Sequence, residues 1–254
     1  SNGAKIHVNR KLVSLNNGLM KFQKGRDVRS EVIVGADGPN SVVGRSAGIF
    51  GDRNFVVGHQ ARVKLKEKID SNVVEFFLNE GNYIGWLVPE DERVVRLGVA
   101  SHVGTDNYFN ELLKKRNGKV LGWQSGVIPV YDPKLKIEKD NVFLVGDAAT
   151  QVKATTYGGI IPGMHAADVL KDVILNGGSY TKCVKKTIGK SLKTHLHIRK
   201  LMNKFSKDDY NELVKLCNKD SVKKLIYEHD REYPKKLLTS LLLKEPRFLK
   251  FIRF

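Results

Sequence analysis

Two short segments each place an acidic residue beside glycine, Gly35-Ala36-Asp37-Gly38 and Gly146-Asp147-Ala148-Ala149. Both follow apolar runs, and the run at 142–145 is continuous, which is typical of a strand buried on both faces. An aspartate at the carboxyl end of such a strand can accept hydrogen bonds from sugar hydroxyls, while the adjacent glycine lets a phosphate approach the backbone. Because Asp-Gly alone also fits an ordinary turn, the prediction of a nucleotide site rests on the two segments together.

A glycine-containing loop follows the second segment and leads into a predicted helix over residues 160–175. The N-terminus of a helix has free N–H groups and carries roughly half a positive charge. We therefore expect the backbone N–H groups of Gly158, Gly159 and Ile160 to bind an electron-rich part of a ligand. Asp147, just ahead of the loop, is expected to take the sugar or pyrophosphate side of that ligand.

The elements that must position these residues are predicted from turn residues and from the periodicity of apolar residues. Asn16-Asn17-Gly18 between two apolar runs predicts a β-hairpin, and a short helix is expected over 107–116. The C-terminal region has helical periodicity that Pro234 and Pro246 interrupt. Further strands are predicted at 5–8, 28–34, 56–63, 73–78, 83–88 and 94–100, the last four as one antiparallel sheet.

The two glycine segments resemble motifs of a known group of flavoproteins. Residues 34–45 are similar to the second fingerprint of the para-hydroxybenzoate hydroxylase class, and residues 141–160 are similar to the corresponding motif of the geranylgeranyl reductases. The resemblance implies FAD as the ligand of Asp37, Asp147 and the glycine loop. It also implies an α/β (α+β) fold with a partial FAD/NAD(P)-binding, Rossmann-like domain, an antiparallel β-sheet substrate domain and a helical C-terminal tail. The implied boundaries are 1–50 and 131–180 for the FAD-binding domain, 51–130 for the substrate domain and 181–254 for the tail.

Residues 83–89 resemble the aromatic-Trp-Pro motif that lines the prenyl pocket in these reductases. The resemblance implies Tyr83, Trp86 and Pro89 as substrate-binding candidates, because a long isoprenoid is oriented by burial among apolar and aromatic groups. The alternative is that Tyr83 and Trp86 only fill the core of the sheet. The implied reaction is the reduction of carbon–carbon double bonds in prenyl lipids, with NAD(P)H or ferredoxin as the electron donor. No proton donor is identified.

The sequence departs from the family pattern in two ways. Tyr157 occupies a position where the family has glycine, which brings an aromatic ring into the loop that approaches the flavin. The strand-GxGxxG-helix unit that cradles the adenosine end of FAD does not occur in the sequence, and neither does the family's cysteine motif. We therefore expect a portion of a flavoenzyme that does not hold FAD tightly by itself. Two alternatives stay open for the N-terminal FAD-binding segment: it is encoded in frame upstream, or it is a separate segment.

Charge is concentrated toward the C-terminus. The 254 residues include 44 Lys/Arg and 27 Asp/Glu, a formal charge of +17. From Thr181 onward there are 20 basic and 8 acidic residues, a net +12. These basic residues are mostly lysines at helical spacing and no nucleic-acid motif is present, so we expect contact with an anionic membrane surface and no nucleic-acid partner. No apolar run reaches the length that spans a bilayer, which favours a cytoplasmic protein that is at most peripheral at the membrane.

Cysteine and histidine patterns give no sign of a metal or disulfide framework. Cys183 and Cys217 are the two cysteines, which fits a reducing compartment, and the histidines lack metal-ligand spacing. Two alternatives to a prenyl reductase stay open. One is a flavin-dependent monooxygenase of the same fold, which the Lys-x-Thr-Thr sequence before the glycines disfavours. The other is a non-catalytic or split-enzyme subunit that binds anionic membrane lipid.

Overall fold

The computed structural model describes residues 3–79, 83–102, 104–230 and 232–252. The strands are β1 (Leu12–Asn16), β2 (Leu19–Phe22), β3 (Val28–Arg29), β4 (Ile33–Gly35), β5 (Phe55–Leu65), β6 (Glu75–Asn79), β7 (Tyr83–Pro89), β8 (Val94–Ser101), β9 (Gly118–Pro129), β10 (Glu138–Lys139) and β11 (Val142–Leu144). The helices are α1 (Val42–Ser46), α2 (Asp106–Lys115), α3 (Ile160–Asn176), α4 (Tyr180–Lys186), α5 (Gly189–Met202), α6 (Lys207–Cys217), α7 (Asp220–Glu228) and α8 (Pro234–Lys244), with 3-10 helices at Gly146–Ala149 and Pro246–Ile252. The predicted mixture of helices with an antiparallel sheet is confirmed.

The chain forms two compact units. The first contains the chain up to Arg53, together with Tyr131–Val152 and Gly158–Lys190. The second contains Asn54–Val130, Lys153–Tyr157 and the chain from Ser191 onward. The domain boundaries expected from the sequence stay a prediction.

The first unit contains two three-stranded sheets, of which one is the antiparallel sheet β1-β2-β3. Asn17 and Gly18 connect β1 to β2 with φ values of 45° and 75°, the left-handed conformation that a two-residue hairpin turn requires. The predicted hairpin is therefore confirmed. In the other sheet, β11 lies between β10 and β4 and pairs with β4 in parallel.

Two of the predicted strands differ in the structure. The segment 28–34 is not one strand, because the Ser30 hydroxyl donates to the carbonyl of Val32 and β3 and β4 join different sheets. The segment 5–8 is not a strand, and its apolar side chains Ile6 and Val8 are 87% and 74% exposed. Alternation of apolar and polar residues favours a strand only where one face can be buried.

The second unit is built on a five-stranded antiparallel sheet in the order β6-β7-β8-β5-β9. Helix α2 packs on one face through Phe109 and Leu112. The apolar residues of that face form a buried cluster: Ala61, Val63, Leu65, Tyr83, Leu87, Val95, Leu97 and Val99. The predicted strands and helix are present here, whereas β9 was not predicted.

The C-terminal helices of the second unit share a separate apolar cluster. Its buried members are Phe205, Tyr210, Leu216, Val222, Leu241, Phe248 and Phe251. These positions come from α6, α7, α8 and the segments around them, which fits the helical periodicity of this part of the sequence. Among the residues that the structure describes, no helix combines the length and the hydropathy that crossing a membrane requires.

Candidate functional site

The two glycine segments leave adjacent strands at the same end of a sheet. The parallel pairing of β4 with β11 sets Gly35 opposite Leu144, and the Val145 N–H donates to the Gly35 carbonyl at 3.0 Å. The carboxyl ends of neighbouring parallel strands are where doubly wound proteins bind nucleotides. Sequence analysis predicted the two strand ends separately, and the strand pairing brings them together.

Both carboxylate oxygens of Asp37 accept hydrogen bonds from the turn and helix that follow β4. One carboxylate oxygen accepts from the Ser41 hydroxyl at 2.5 Å, and the other accepts from the Val43 N–H at 3.0 Å. The Ser41 hydroxyl in turn caps α1 by accepting from the Gly44 N–H. Asp37 thus fixes the shape of the turn after β4, while its role in cofactor binding stays a prediction.

The carboxylate of Asp147 packs against the glycine loop. A Cβ atom on Gly159 would lie 2.8 Å from Asp147 Oδ1 and 3.2 Å from a methyl carbon of Val152, so glycine is required for this close approach. Burial raises the pKa of Asp147. Within the described part of the chain no hydrogen bond to this carboxylate is recorded, and it therefore has acceptor capacity to offer to a ligand.

The N-terminus of α3 lies in the same loop. Gly159 is its N-cap and makes no side-chain capping hydrogen bond. Among the described residues, no acceptor is recorded for the N–H groups of Gly158, Gly159 and Ile160. These are the donors expected from the sequence, and a carboxylate with free acceptor capacity lies beside them.

Two buried side chains that sequence analysis missed brace the turn Gly146–Ala149. Gln151 is 1% exposed; its Oε1 accepts from the Gly146 N–H at 2.7 Å and its Nε2 donates to the Tyr180 hydroxyl at 3.1 Å. Arg53 donates to the Ala148 carbonyl at 3.0 Å and to the Phe50 carbonyl. Burial lowers the pKa of Arg53 and Arg45 adds to this, whereas Asp37 opposes it. These contacts hold the turn that carries Asp147.

In the second unit, side chains of helix α5 form hydrogen bonds with the segment Lys153–Tyr157. Arg199, 3% exposed, donates to the carbonyls of Ala154 at 2.9 Å and Thr155 at 2.5 Å. The Thr155 hydroxyl and His195 Nδ1 lie 2.8 Å apart, and Lys153 forms an ion pair with Glu232. Lys153 is thus a partly buried ion-pair residue. A cationic residue on α5 fixes the loop through its backbone.

Tyr157 has a left-handed backbone conformation of the kind that glycine adopts readily. Its φ is 55°, in the left-handed region that a residue with a side chain adopts at a cost. Its ring lies under the Arg199 guanidinium, with 5.4 Å from the Arg199 Cζ to the ring centroid. Burial raises the pKa of Tyr157, and the charge of Arg199 opposes this shift. The ring therefore packs against a residue of the second unit.

The three substrate-binding candidates lie on opposite faces of the five-stranded sheet. Tyr83 is 4% exposed, belongs to the cluster on the α2 face and stacks on Tyr108 with 4.0 Å between ring centroids. Pro89 shares the face of Tyr83 because side chains alternate along a strand, whereas Trp86 lies on the other face. Gly98 is required beneath Trp86, since a Cβ there would lie 2.4 Å from the indole.

Trp86 begins a hydrogen-bonded row that crosses the sheet. Its indole N–H donates to Gln60 Oε1 at 2.8 Å, and Gln60 Nε2 donates to Gln124 Oε1 at 3.1 Å. The glutamines were not predicted, because they become neighbours only through the pairing of β5 with β9. No group of three or more potential metal ligands occurs among the described residues.

Comparison with known proteins supports the resemblance. No family model matches the chain. The digeranylgeranylglycerophospholipid reductase of Methanothrix thermoacetophila is 31% identical over 233 residues, which cover 81% of this chain and 59% of that protein. The protein of the same name from Thermoplasma acidophilum is 26% identical over 245 residues, 88% of this chain and 57% of the relative.

Over most of its length the chain is therefore similar to proteins named digeranylgeranylglycerophospholipid reductase. It spans less than two thirds of the length of these relatives. A geranylgeranyl bacteriochlorophyll reductase-like structure from Thermoplasma acidophilum has a TM-score of 0.71 and 22% identity, covering 96% of this chain and 66% of that one. A flavin-dependent halogenase has a TM-score of 0.62 and 13% identity, covering 98% of this chain and 57% of that one. The predicted flavoprotein fold is therefore confirmed.

Proposed function

We propose that this chain is part of an FAD-dependent reductase that saturates carbon–carbon double bonds in the prenyl chains of glycerophospholipids. The observation that carries the proposal is the parallel pairing of β4 with β11, which puts two glycine segments at one sheet end beside a helix N-terminus. The reductases to which the chain is similar supply the substrate class through their name.

The residues of the first unit fit the flavin and ribityl portion of FAD. Asp147 would accept hydrogen bonds from ribityl hydroxyls, and Gly159 leaves the space that keeps this carboxylate against the loop. The N–H groups of Gly158, Gly159 and Ile160 would bind the electron-rich edge of the flavin, where the helix N-terminus stabilises negative charge. When bound, FAD supplies the electron pair that reduction of a double bond consumes. The adenosine end of FAD would bind outside these residues.

Trp86 is the aromatic candidate for contact with a prenyl chain. It lies on the sheet face opposite the packed α2 side, whereas Tyr83 is buried in the core beneath α2. An aromatic side chain held by a hydrogen bond orients an apolar chain at little cost in conformational entropy. The electron donor, NAD(P)H or ferredoxin, stays a prediction, as do the roles of Tyr83 and Pro89.

Anaerobic incubation with a digeranylgeranyl glycerophospholipid and chemically reduced FAD tests the activity. Mass spectrometry should show the addition of two hydrogens per double bond. A purified protein that neither binds FAD nor adds hydrogen, even when supplied with the N-terminal segment of a relative, would overturn the proposal.

Replacement of Asp147 tests its assignment. Loss of a charge-assisted hydrogen bond to the ribityl chain should weaken FAD binding by roughly tenfold or more in Asp147→Ala. The control is Asp168→Ala on α3, where the side chain is 76% exposed. FAD titration followed by flavin fluorescence gives both dissociation constants, and equal affinities in the two variants would remove Asp147 from the site.

A further inference from the structure

The C-terminal helices enclose an apolar cavity that the proposed chemistry does not use. Its volume is about 330 Å³, within the range of small-ligand pockets. Helix α5 supplies Ile198, Leu201 and Met202, and α8 supplies Leu238 and Leu241. The remaining lining is mostly apolar too, with Cys217 at the end of α6 and polar groups only at Thr194 and His197.

Helix α5 presents an exposed basic row beside this cavity. Lys193, His197 and Lys200 on α5 and Lys204 in the turn just after it are exposed and follow one another three or four positions apart, and His197 itself lines the cavity. No ion pair with any of these three lysines is recorded within the described ranges. The charges of these three lysines are therefore not balanced by an ion pair within the described residues.

Three acidic residues of the same helical region are paired with cations. Glu245 pairs with Lys219 and Arg247, and Lys250 pairs with both Asp209 and Glu212. The lysines of the row beside the cavity, by contrast, have no ion-pair partner among the described residues. An apolar cavity with a cationic rim is complementary to a molecule with a hydrocarbon chain and an anionic head.

We propose that this cavity binds one isoprenoid chain of an anionic glycerophospholipid, whose phosphate lies on the Lys193, Lys200 and Lys204 row. The inference rests on the proposed function for the kind of chain, while the cavity and the charge come from the structure of the second unit alone. It assigns the C-terminal helices a lipid-holding site of their own.

The two cysteines provide a matched assay. Cys217 lines the cavity, whereas Cys183 lies on α4 in the first unit. In a Cys183→Ser protein, the rate of alkylation by N-ethylmaleimide measures the accessibility of Cys217 and hence of the cavity. In a Cys217→Ser protein, the same rate measures the accessibility of Cys183, outside the cavity. Vesicles of a digeranylgeranyl glycerophospholipid with a glycerol phosphate head should slow alkylation of Cys217 and leave that of Cys183 unchanged. Equal rates for Cys217 with and without these vesicles would overturn the proposal.

Two sets of variants separate the chain from the head group. Leu238→Trp fills the cavity and should abolish lipid retention after gel filtration, whereas Leu243→Trp on the exposed side of α8, 80% exposed, should not. The triple change of Lys193, Lys200 and Lys204 to Glu should weaken lipid binding by roughly a hundredfold. Retention that is the same in Leu238→Trp and Leu243→Trp, or unaffected by the triple change, would contradict the assignment.

Two further outcomes are informative. Protection of Cys217 by an acidic amphipathic peptide but not by the lipid would make the cavity a protein-binding groove and overturn the proposal. Double-bond reduction measured on the same preparations separates the two hypotheses. Reduction without protection of Cys217 defeats the lipid cavity alone, and protection without flavin binding or reduction defeats the proposed function alone.

Discussion

At the scale of single residues, Tyr157 combines an unfavourable backbone conformation with an unfavourable side-chain environment. Its backbone is left-handed, and its buried hydroxyl has no hydrogen-bond partner within the described residues. Strain of this kind persists where the surrounding structure enforces it. Here Arg199 does so, because it holds the carbonyls of Ala154 and Thr155 and lies over the Tyr157 ring.

Removal of that hydroxyl should stabilise the protein in the absence of ligand. A buried hydroxyl without a partner costs about 1 kcal/mol or more, so Tyr157→Phe should raise the free energy of unfolding by about 1 kcal/mol in urea titrations. Tyr227→Phe is the control, because Tyr227 is 96% exposed and should change stability little. A less stable Tyr157→Phe protein would mean that the hydroxyl is satisfied in the folded state.

At the scale of elements, Glu138 ties the end of one sheet to the start of α4. Its carboxylate accepts from the Ser179 hydroxyl at 2.6 Å and from the N–H groups of Tyr180 and Thr181 at 2.9 and 3.0 Å. Burial acts to raise the pKa of Glu138, but these hydrogen bonds outweigh it and the pKa is lowered. The ionised carboxylate is thus the form that the fold stabilises.

The stability conferred by Glu138 should depend on pH in a defined direction. Because its folded pKa lies below the unfolded value, the stabilisation is complete above the unfolded pKa and is lost as pH falls through the folded one. Glu138→Gln should cost about 1 kcal/mol at neutral pH, as loss of a helix cap does, and less in acid. Urea titrations at neutral and at acidic pH measure the loss in the free energy of unfolding. The control is Glu31→Gln, because Glu31 is exposed. An equal loss at both pH values would contradict the assigned role of the charge.

Elements with a local signal could be predicted, and those made by long-range pairing could not. The hairpin, α3 and strands β5 to β8 of the five-stranded sheet follow from turn residues and apolar periodicity. β9 contains Gly118, Gly122 and Gly126, which weaken any strand signal, and it forms because β5 pairs with it along its length. The candidate site divides in the same way: Asp147 lies in a local motif, whereas Arg199 reaches Ala154 across 45 positions.

At the scale of the whole molecule, the charge of +17 is the dominant electrostatic property. Several C-terminal lysines are neutralised, as in the pairs of Lys219 with Glu245 and Lys250 with Glu212. Others, including Lys193 and Lys200 on α5 and Lys204 just after it, are exposed. Basic residues near an anionic bilayer each contribute about 1 kcal/mol, so a few exposed lysines suffice for reversible binding.

Binding to anionic membranes should therefore be strong at low salt and disappear at high salt. The Debye length falls from about 10 Å at 0.1 M salt to about 3 Å at 1 M, which screens attraction between the exposed lysines and lipid phosphates. Sedimentation with anionic vesicles should show most of the protein bound at the lower salt and little at the higher. Neutral vesicles are the control at both. Binding that is equal for the two vesicle types, or that survives high salt, would show that hydrophobic insertion rather than surface charge holds the protein at the membrane.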